Sequence, residues 1–251
     1  MLSREQEDIA LGIDVGGTGI KAAPVDLRAG KLVAERLRVL TPQPATPKAV
    51  SATVTEIVNY FRWDGPIGCG FPAAIRLGKV KIAANVSKKW IDKDIETLFA
   101  NAAGRPVTVL NDADAAGLAE MRFGAGSEQK GTVIVITLGT GIGTGLFVDG
   151  HLVPNTELGH IDIGGRDAES LAAAIVREKK KLSWKEWSEG LDKYLAKIQF
   201  FVWPDLIILG GGVSKKHEKF IPHLSVDAKI VPAQMLNQAG IVGAAAATLG
   251  L

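Results

Sequence analysis

Ile13-Asp14-Val15-Gly16-Gly17-Thr18-Gly19-Ile20-Lys21 and Thr137-Leu138-Gly139-Thr140-Gly141-Ile142-Gly143-Thr144-Gly145 are the two stretches whose reading decides the fold. Each sets a glycine- and threonine-rich turn directly after an apolar run. Glycine lets the backbone turn tightly and bring its N–H groups close to an oxyanion, and threonine hydroxyls add donors beside them. One such turn is weak evidence, because short glycine motifs recur by chance. Two, with chain polarity repeated around each, point to a duplicated fold that grips phosphate from two sides. At the first turn Gly16, Gly17, Thr18 and Gly19 would bind oxygens, and Asp14 would hold a magnesium ion through water. Lys21 adds a positive charge there or is a solvated strand residue. A plain glycine-containing β-turn is the competing reading. The Gly-x-x-x-x-Gly-Lys-Ser/Thr spacing is absent, and a strand follows the first turn where a dinucleotide fingerprint needs a helix.

Outward from these turns the pattern alternates strands and helices. Ile9 to Val15 reads as a buried strand, Gly19 to Asp26 as its antiparallel partner and Leu32 to Leu40 as a third strand. Thr41-Pro42-Gln43-Pro44-Ala45-Thr46-Pro47 is a connector, and Pro47 suits the first turn of a helix running to about Phe61. Strands are expected at Pro66 to Phe71 and Val107 to Leu110, then a helix from Ala113 to Phe123. The order restarts with Thr132 to Leu138, its partner Gly143 to Val148 and an Asp149-Gly150 hairpin turn. A helical region over 167–202, a strand at Leu206 to Leu209 and a buried Ala-rich helix from Gly240 follow. This repetition predicts two α/β domains with a cleft between them.

The 251 residues, 22% of them charged, carry a net charge of +2 and one cysteine, Cys69. That balance excludes a strongly basic nucleic-acid coat and leaves room for local basic stripes. A single cysteine excludes an internal disulfide and a cysteine-based zinc site, and fits a reducing cytoplasm. Cys69 itself reads as a small apolar filler. The first residues show no secretion signal, no apolar run is long enough to span a membrane, and about ten residues precede the first strand.

Asn111-Asp112-Ala113-Asp114 falls where a strand ends and a helix begins, the edge at which open α/β sheets place ligands. Asp112 is placed to accept a proton from a substrate hydroxyl and Asn111 to bind neighbouring hydroxyls. Helix capping competes, and Asp114 as cap with Asp112 facing a ligand satisfies both. Glu157 and His160, three apart, could both hydrogen-bond a polyhydroxylated ligand, or form a surface pair. Alone they are an incomplete metal site. Lysines recur at 79, 81, 88, 89 and 93, at 179–181 and 185, and at 215, 216 and 219, mostly as solvated faces. Trp184 and Trp187 read as packing rather than base stacking.

On these residues the chain resembles the ROK sugar kinases of the actin-like ATPase (ribonuclease H-like) fold, and within them the polyphosphate-using branch. The resemblance runs from Gly12-Ile13-Asp14-Val15-Gly16-Gly17 to Ala239-Gly240-Ile241-Val242-Gly243-Ala244. Its most specific pieces are Leu40-Thr41-Pro42-Gln43-Pro44, Ala83-Ala84-Asn85-Val86, Leu110-Asn111-Asp112-Ala113-Asp114, Pro154-Asn155-Thr156-Glu157-Leu158-Gly159-His160 and Trp203-Pro204-Asp205-Leu206. It implies a two-domain α/β fold with an interdomain cleft, divided as 1–112 completed by 240–251, and 113–239. It implies Asp112 as general base for the sugar 6-hydroxyl, with Asn85, Asn111, Glu157 and His160 on sugar hydroxyls. Both glycine turns (Gly139, Thr140 and Gly141 in the second) would hold the donor, and Gly211 would lie near a nucleotide.

Three departures bear on this. Ile161-Asp162-Ile163-Gly164-Gly165-Arg166-Asp167 holds no cysteine where many of these kinases carry a zinc motif, so no zinc is expected. Pro72-Ala73 stands where the family has Pro-Gly. Glu169 is the candidate for the family's further sugar-binding glutamate. The expectation is a cytoplasmic, homodimeric, magnesium-dependent kinase moving a phosphoryl group from inorganic polyphosphate, or ATP, to glucose, with no nucleic-acid or membrane partner. An ATP-dependent kinase for mannose or another hexose is the rival. A sugar-responsive regulator of the same family fits less well, since the short lead leaves no room for a DNA-binding domain.

Overall fold

A computed structural model describes residues 8–83 and 86–250. The chain forms two compact units, Met1–Ala119 with Gln238–Leu251, and Glu120–Asn237. The division after Ala119 falls inside the helix that begins at Asp112.

In the first unit β1 (Ile9–Val15) and β2 (Gly19–Asp26) form an antiparallel hairpin around the first glycine turn. The expected third strand is two short pieces, β3 (Lys31–Leu32) and β4 (Leu37–Leu40), each paired with β2. After α1 (Pro47–Phe61) come β5 (Ile67–Phe71), the small hairpin of β6 (Ile75–Arg76) and β7 (Lys79–Val80), α2 (Ile95–Ala103), β8 (Val107–Asn111) and α3 (Asp112–Phe123). The sheet order is β3-β2-β1-β5-β8, with β1, β5 and β8 parallel. Thr46 caps α1 by accepting from Ala49 N, and Pro47 occupies its first turn.

The second unit repeats this order. β9 (Thr132–Leu138) and β10 (Ile142–Val148) form a hairpin around the second glycine turn, extended by β11 (His151–Val153). The helical region is three helices, α4 (Glu169–Ala172), α5 (Ala174–Lys180) and α6 (Trp184–Val202). β12 (Leu206–Gly210) and β13 (Lys229–Pro232) complete the order β11-β10-β9-β12-β13, with β9, β12 and β13 parallel. The shared pattern is a hairpin followed by two parallel strands.

α7 (Ala239–Ala246) returns to the first unit and lies directly on β1 and β5. A Cβ on Gly68 would stand 1.7 Å from the Ala244 carbonyl, so glycine there is a condition of the helix packing this close. Two cores result. One, around β1 and β5, includes fully buried Phe71, Trp90 and Phe99; the other gathers Trp187, Leu191, Tyr194 and Phe220 against β9 and β12. Each fully buried large side chain contributes about 1.5–3 kcal/mol. Cys69 is wholly buried in the first core and burial pushes its thiol pKa far up, so it is a filler with no thiolate to offer. Among the described residues no helix is long and apolar enough to cross a membrane.

Candidate active site

Because β1, β5 and β8 are parallel, their C-terminal ends share one sheet edge. The register pairs Asp14 with Gly70 and Gly70 with Leu110, and Asp112 follows two residues on. Two strand spacings, about 9.6 Å, separate β1 from β8. The sheet thus brings Asp14 and Asp112 to the same edge. Asp14 sits opposite Lys21 across the hairpin, with Lys21 Nζ 3.0 Å from Asp14 Oδ2. Lys21 is therefore an ion-pair partner of Asp14 rather than a solvated strand residue.

The turn between them is held from outside. The Thr41 hydroxyl donates to the Gly16 carbonyl at 2.5 Å, Gln43 Nε2 to the Gly17 carbonyl at 3.3 Å, and Thr41 N to the Thr18 carbonyl at 3.5 Å. In a planar trans peptide the next N–H points opposite to the carbonyl. Pinning these carbonyls therefore turns the N–H groups of Gly17 and Thr18 away from the 41–43 segment. The segment read from sequence as a connector is the brace of the first turn.

Asn111 caps α3: its Oδ1 accepts from Ala113 N at 2.7 Å and from Asp114 N at 3.2 Å, and its Nδ2 donates to the Ala73 carbonyl at 3.3 Å. This corrects the expectation that Asp114 is the cap. Asp114 lies buried inside the helix, where a cap cannot reach the first N–H groups. Asp112, the first residue of α3, is half-buried. Ala73, in place of the family's glycine, is accommodated with its methyl buried and its carbonyl held by Asn111. Asn85 lies outside the described residues.

In the second unit the 155–160 loop is fastened to β10 by Thr144, whose hydroxyl donates to the Thr156 carbonyl and accepts from Leu158 N at 3.2 Å. Asn155 takes φ +60°, a left-handed conformation that asparagine tolerates. Glu157 and His160 emerge from this loop. His160 Nδ1 lies 2.9 Å from Asp167 Oδ2, and His160 Nε2 lies 4.0 Å from Glu169 Oε1. The other Asp167 oxygen accepts from Glu169 N at 2.8 Å. Glu169 Oε1 accepts from Ile142 N at 2.8 Å, and a Cβ on Gly141 would stand 2.2 Å from it. Gly141 is thus glycine because a carboxylate occupies the space beside it.

The electrostatics follow from this cluster. The Asp167 hydrogen bond raises the His160 pKa, against the opposing effect of burial, with Glu169 and Glu157 adding to the rise. Burial raises the Glu157 pKa, nearby Glu169 adds to it and His160 works against it. His160, Asp167 and Glu169 place one ligand atom each within 4.8 Å of one another. Both Asp167 oxygens, Glu169 Oε1 and His160 Nδ1 are engaged in the hydrogen bonds above, so the cluster is built as a hydrogen-bonded unit. The cysteine-free 161–168 segment closes through Ile163 N to the Arg166 carbonyl at 2.8 Å and Ala168 N to the Ile161 carbonyl at 3.1 Å.

Sequence reasoning missed Asp167 as a functional residue, although Asp two positions before Glu169 is a capping signal. It also missed a cavity of about 410 Å³ bordered by Gly139, Thr140, Arg177 and Trp184. Gly211 takes φ +82° with its backbone against Leu138: a Cβ there would meet the Leu138 carbonyl at 2.2 Å. The next residue, Gly212, lines the cavity itself.

Comparison with known proteins agrees with this geometry. The model of the ROK family matches residues 10–173. A polyphosphate glucokinase of Mycobacterium tuberculosis is 49% identical over 95% of this chain and 90% of its own. The inorganic polyphosphate/ATP-glucomannokinase of Arthrobacter sp. strain KM superposes with TM-score 0.91 at 51% identity, over 96% of this chain and 98% of that one. A ROK family glucokinase from Streptomyces griseus, crystallised with glucose and AMPPNP, superposes with TM-score 0.79 at 25% identity, over 94% and 98% of the two chains.

Proposed function

Because this chain belongs to the ROK family, with the actin-like ATPase fold, we propose that it is a polyphosphate-dependent glucokinase, transferring a phosphoryl group to the 6-hydroxyl of glucose. ATP is the second donor. The observation that carries this is the sheet edge of the first unit, where Asp112 heads α3 on the same edge as Asp14 and the first glycine turn.

Asp112 receives the proton of the attacking 6-hydroxyl. A helix N-terminus favours its ionised form and makes it a weak base, which suffices because the transition state is loose and the proton leaves late. Asn111 spends its oxygen on the cap and its Nδ2 on the Ala73 carbonyl, and so fixes where Asp112 stands at the sugar subsite. Glu157 and Glu169 accept from sugar hydroxyls. With Asp167 on Nδ1, neutral His160 accepts at Nε2, and the imidazolium donates there. Asn85 belongs to the same sugar set. The N–H groups of Gly17 and Thr18 and the second turn bind donor oxygens.

Phosphoryl transfer in kinases generally requires a divalent cation. A single carboxylate with substrate phosphates is a usual Mg²⁺ environment, and Asp14, whose Oδ2 is paired with Lys21, would offer its Oδ1 to it. Mg²⁺ held there would neutralise charge on the donor. The name of the Arthrobacter relative covers mannose as well, which favours mannose as a second acceptor. We also place the enzyme in the cytoplasm as a homodimer.

The test is an assay of polyphosphate and ATP against glucose, mannose and N-acetylglucosamine, reading sugar 6-phosphate. Polyphosphate with glucose is expected to give product. No product from polyphosphate with any sugar overturns the donor, and product with every sugar except glucose overturns the acceptor.

A further inference from the structure

The cavity beside the second glycine turn is lined by an arginine laid over an aromatic ring. Gly139, Thr140 and Gly212 form its backbone wall, Arg177 and Lys216 bring positive charge, and Glu178 is its acid. The Arg177 guanidinium carbon stands 3.8 Å from the centroid of the Trp184 ring. Trp184 is held in turn by two buried aromatics, Phe220 nearly parallel at 6.0 Å and Trp187 edge-on at 6.0 Å. The ring is therefore a fixed plate, and Arg177 covers the face it sits over. Arg177 Nε is buried and has no hydrogen-bond partner among the described residues. The side chain as a whole is only part-buried and lines the cavity, so the guanidinium meets a ligand through its terminal nitrogens.

We propose that Arg177 sets the choice of phosphoryl donor: it occupies the Trp184 face on which a nucleobase would stack and offers its N–H groups to the oxygens of an inorganic polyphosphate chain. This rests on the kinase reading above and adds to it the residue that separates its two donors. A guanidinium fork matches phosphate oxygens pairwise, and Lys216 adds a second charge to the same wall. A purine needs the opposite, an uncovered aromatic plane. With Arg177 in place the cavity recognises a run of phosphates, and a nucleotide binds only by displacing a cation from a π-face.

Arg177→Ala and Arg177→Lys would be compared with the wild type for kcat/KM with polyphosphate and with ATP, at saturating glucose. Arg177→Ala is expected to lower the polyphosphate value about tenfold, through lost charge-assisted hydrogen bonds, and to raise the ATP value severalfold as Trp184 is uncovered. Arg177→Lys keeps the charge without the flat fork, so it should lose less with polyphosphate than Arg177→Ala while still gaining with ATP. The lysine variant also carries the test if the alanine variant does not fold. Equal changes with both donors, or a loss with ATP at least as large as with polyphosphate, overturn the proposal. A wild type inert toward polyphosphate overturns the donor assignment itself, a failure visible before any variant is read.

Discussion

The two glycine turns share strand polarity but are held by different chemistry. The first is fastened through its carbonyls by Thr41 and Gln43, and its flanking strands carry the Asp14–Lys21 ion pair. The second is fastened through an N–H, that of Ile142, by the Glu169 carboxylate, which also reaches toward His160. The repeated frame is therefore only a frame. The first unit places an acid on the sheet edge beside its turn, while the second wires its turn to the His160–Asp167–Glu169 cluster proposed to bind sugar. Movement of the donor turn and of the sugar ligands should be coupled in the second unit and independent in the first.

The largest expected effect is at the acid of the first unit. Asp112→Asn should lower kcat by about 10²–10⁴, the usual worth of a general base, with the KM for glucose nearly unchanged. Steady-state kinetics with polyphosphate check this. A variant with near-normal kcat would move the reaction's base elsewhere and leave the first unit with a donor role alone.

A pair of glycine substitutions tests the contrast between the turns. Gly17 has nothing within 4 Å of where a Cβ would stand, whereas Gly141 has the Glu169 carboxylate there. Gly17→Ala should leave thermal stability within about 1 kcal/mol, since the conformation suits alanine. Its donor KM should rise about tenfold, because the added methyl stands in the open space beside the N–H and crowds the donor oxygen away from a charge-assisted hydrogen bond. Gly141→Ala must push Glu169 aside, at about 1–3 kcal/mol for overpacking. It should therefore raise KM for glucose as well as for the donor. A Gly141→Ala enzyme with unchanged glucose KM would uncouple the second turn from the sugar cluster.

Much of this frame was legible in the sequence because hairpin strands and apolar periodicity are local signals. The bounds of β1, β2 and β9 are those read from residues 9–15, 19–26 and 132–138. Leu32 to Leu40 read as one strand because it is long enough, yet β2 pairs with only its two ends. α2 and β13 were missed: α2 buries only a narrow apolar stripe, and β13 is a four-residue edge strand ending in proline. At the site, Asp112 and Glu157 stood out because strand ends and loop motifs carry them. Asp167 and Arg177 did not, because their roles come from partners that only the fold brings near, His160 for one and Trp184 for the other. The cap on α3 was misassigned by three residues for a related reason: Asn111 and Asp114 are both good caps, and only the end of β8 decides between them.

The smallest expected effect, and the finest probe of the second unit, is Asp167→Asn. Asp167 raises the His160 pKa above its ordinary value of 6.5 through a hydrogen bond to the charged partner. A raised histidine pKa stabilises the folded chain fully below the ordinary value, and the contribution is lost as pH rises through the folded one. Replacing the carboxylate by an amide removes the anion, so the His160 titration followed by NMR should move back down. The pH dependence of the glucose KM should shift the same way, with KM rising about fivefold at neutral pH as one modest hydrogen-bond network loosens. The groups facing His160 are Asp167, Glu169 and Glu157, so Glu169→Gln should move the same titration downward by less. A His160 titration unmoved by Asp167→Asn would mean that Asp167 serves only to hold the Glu169 N–H. The second turn would then reach the sugar ligands through Glu169 alone.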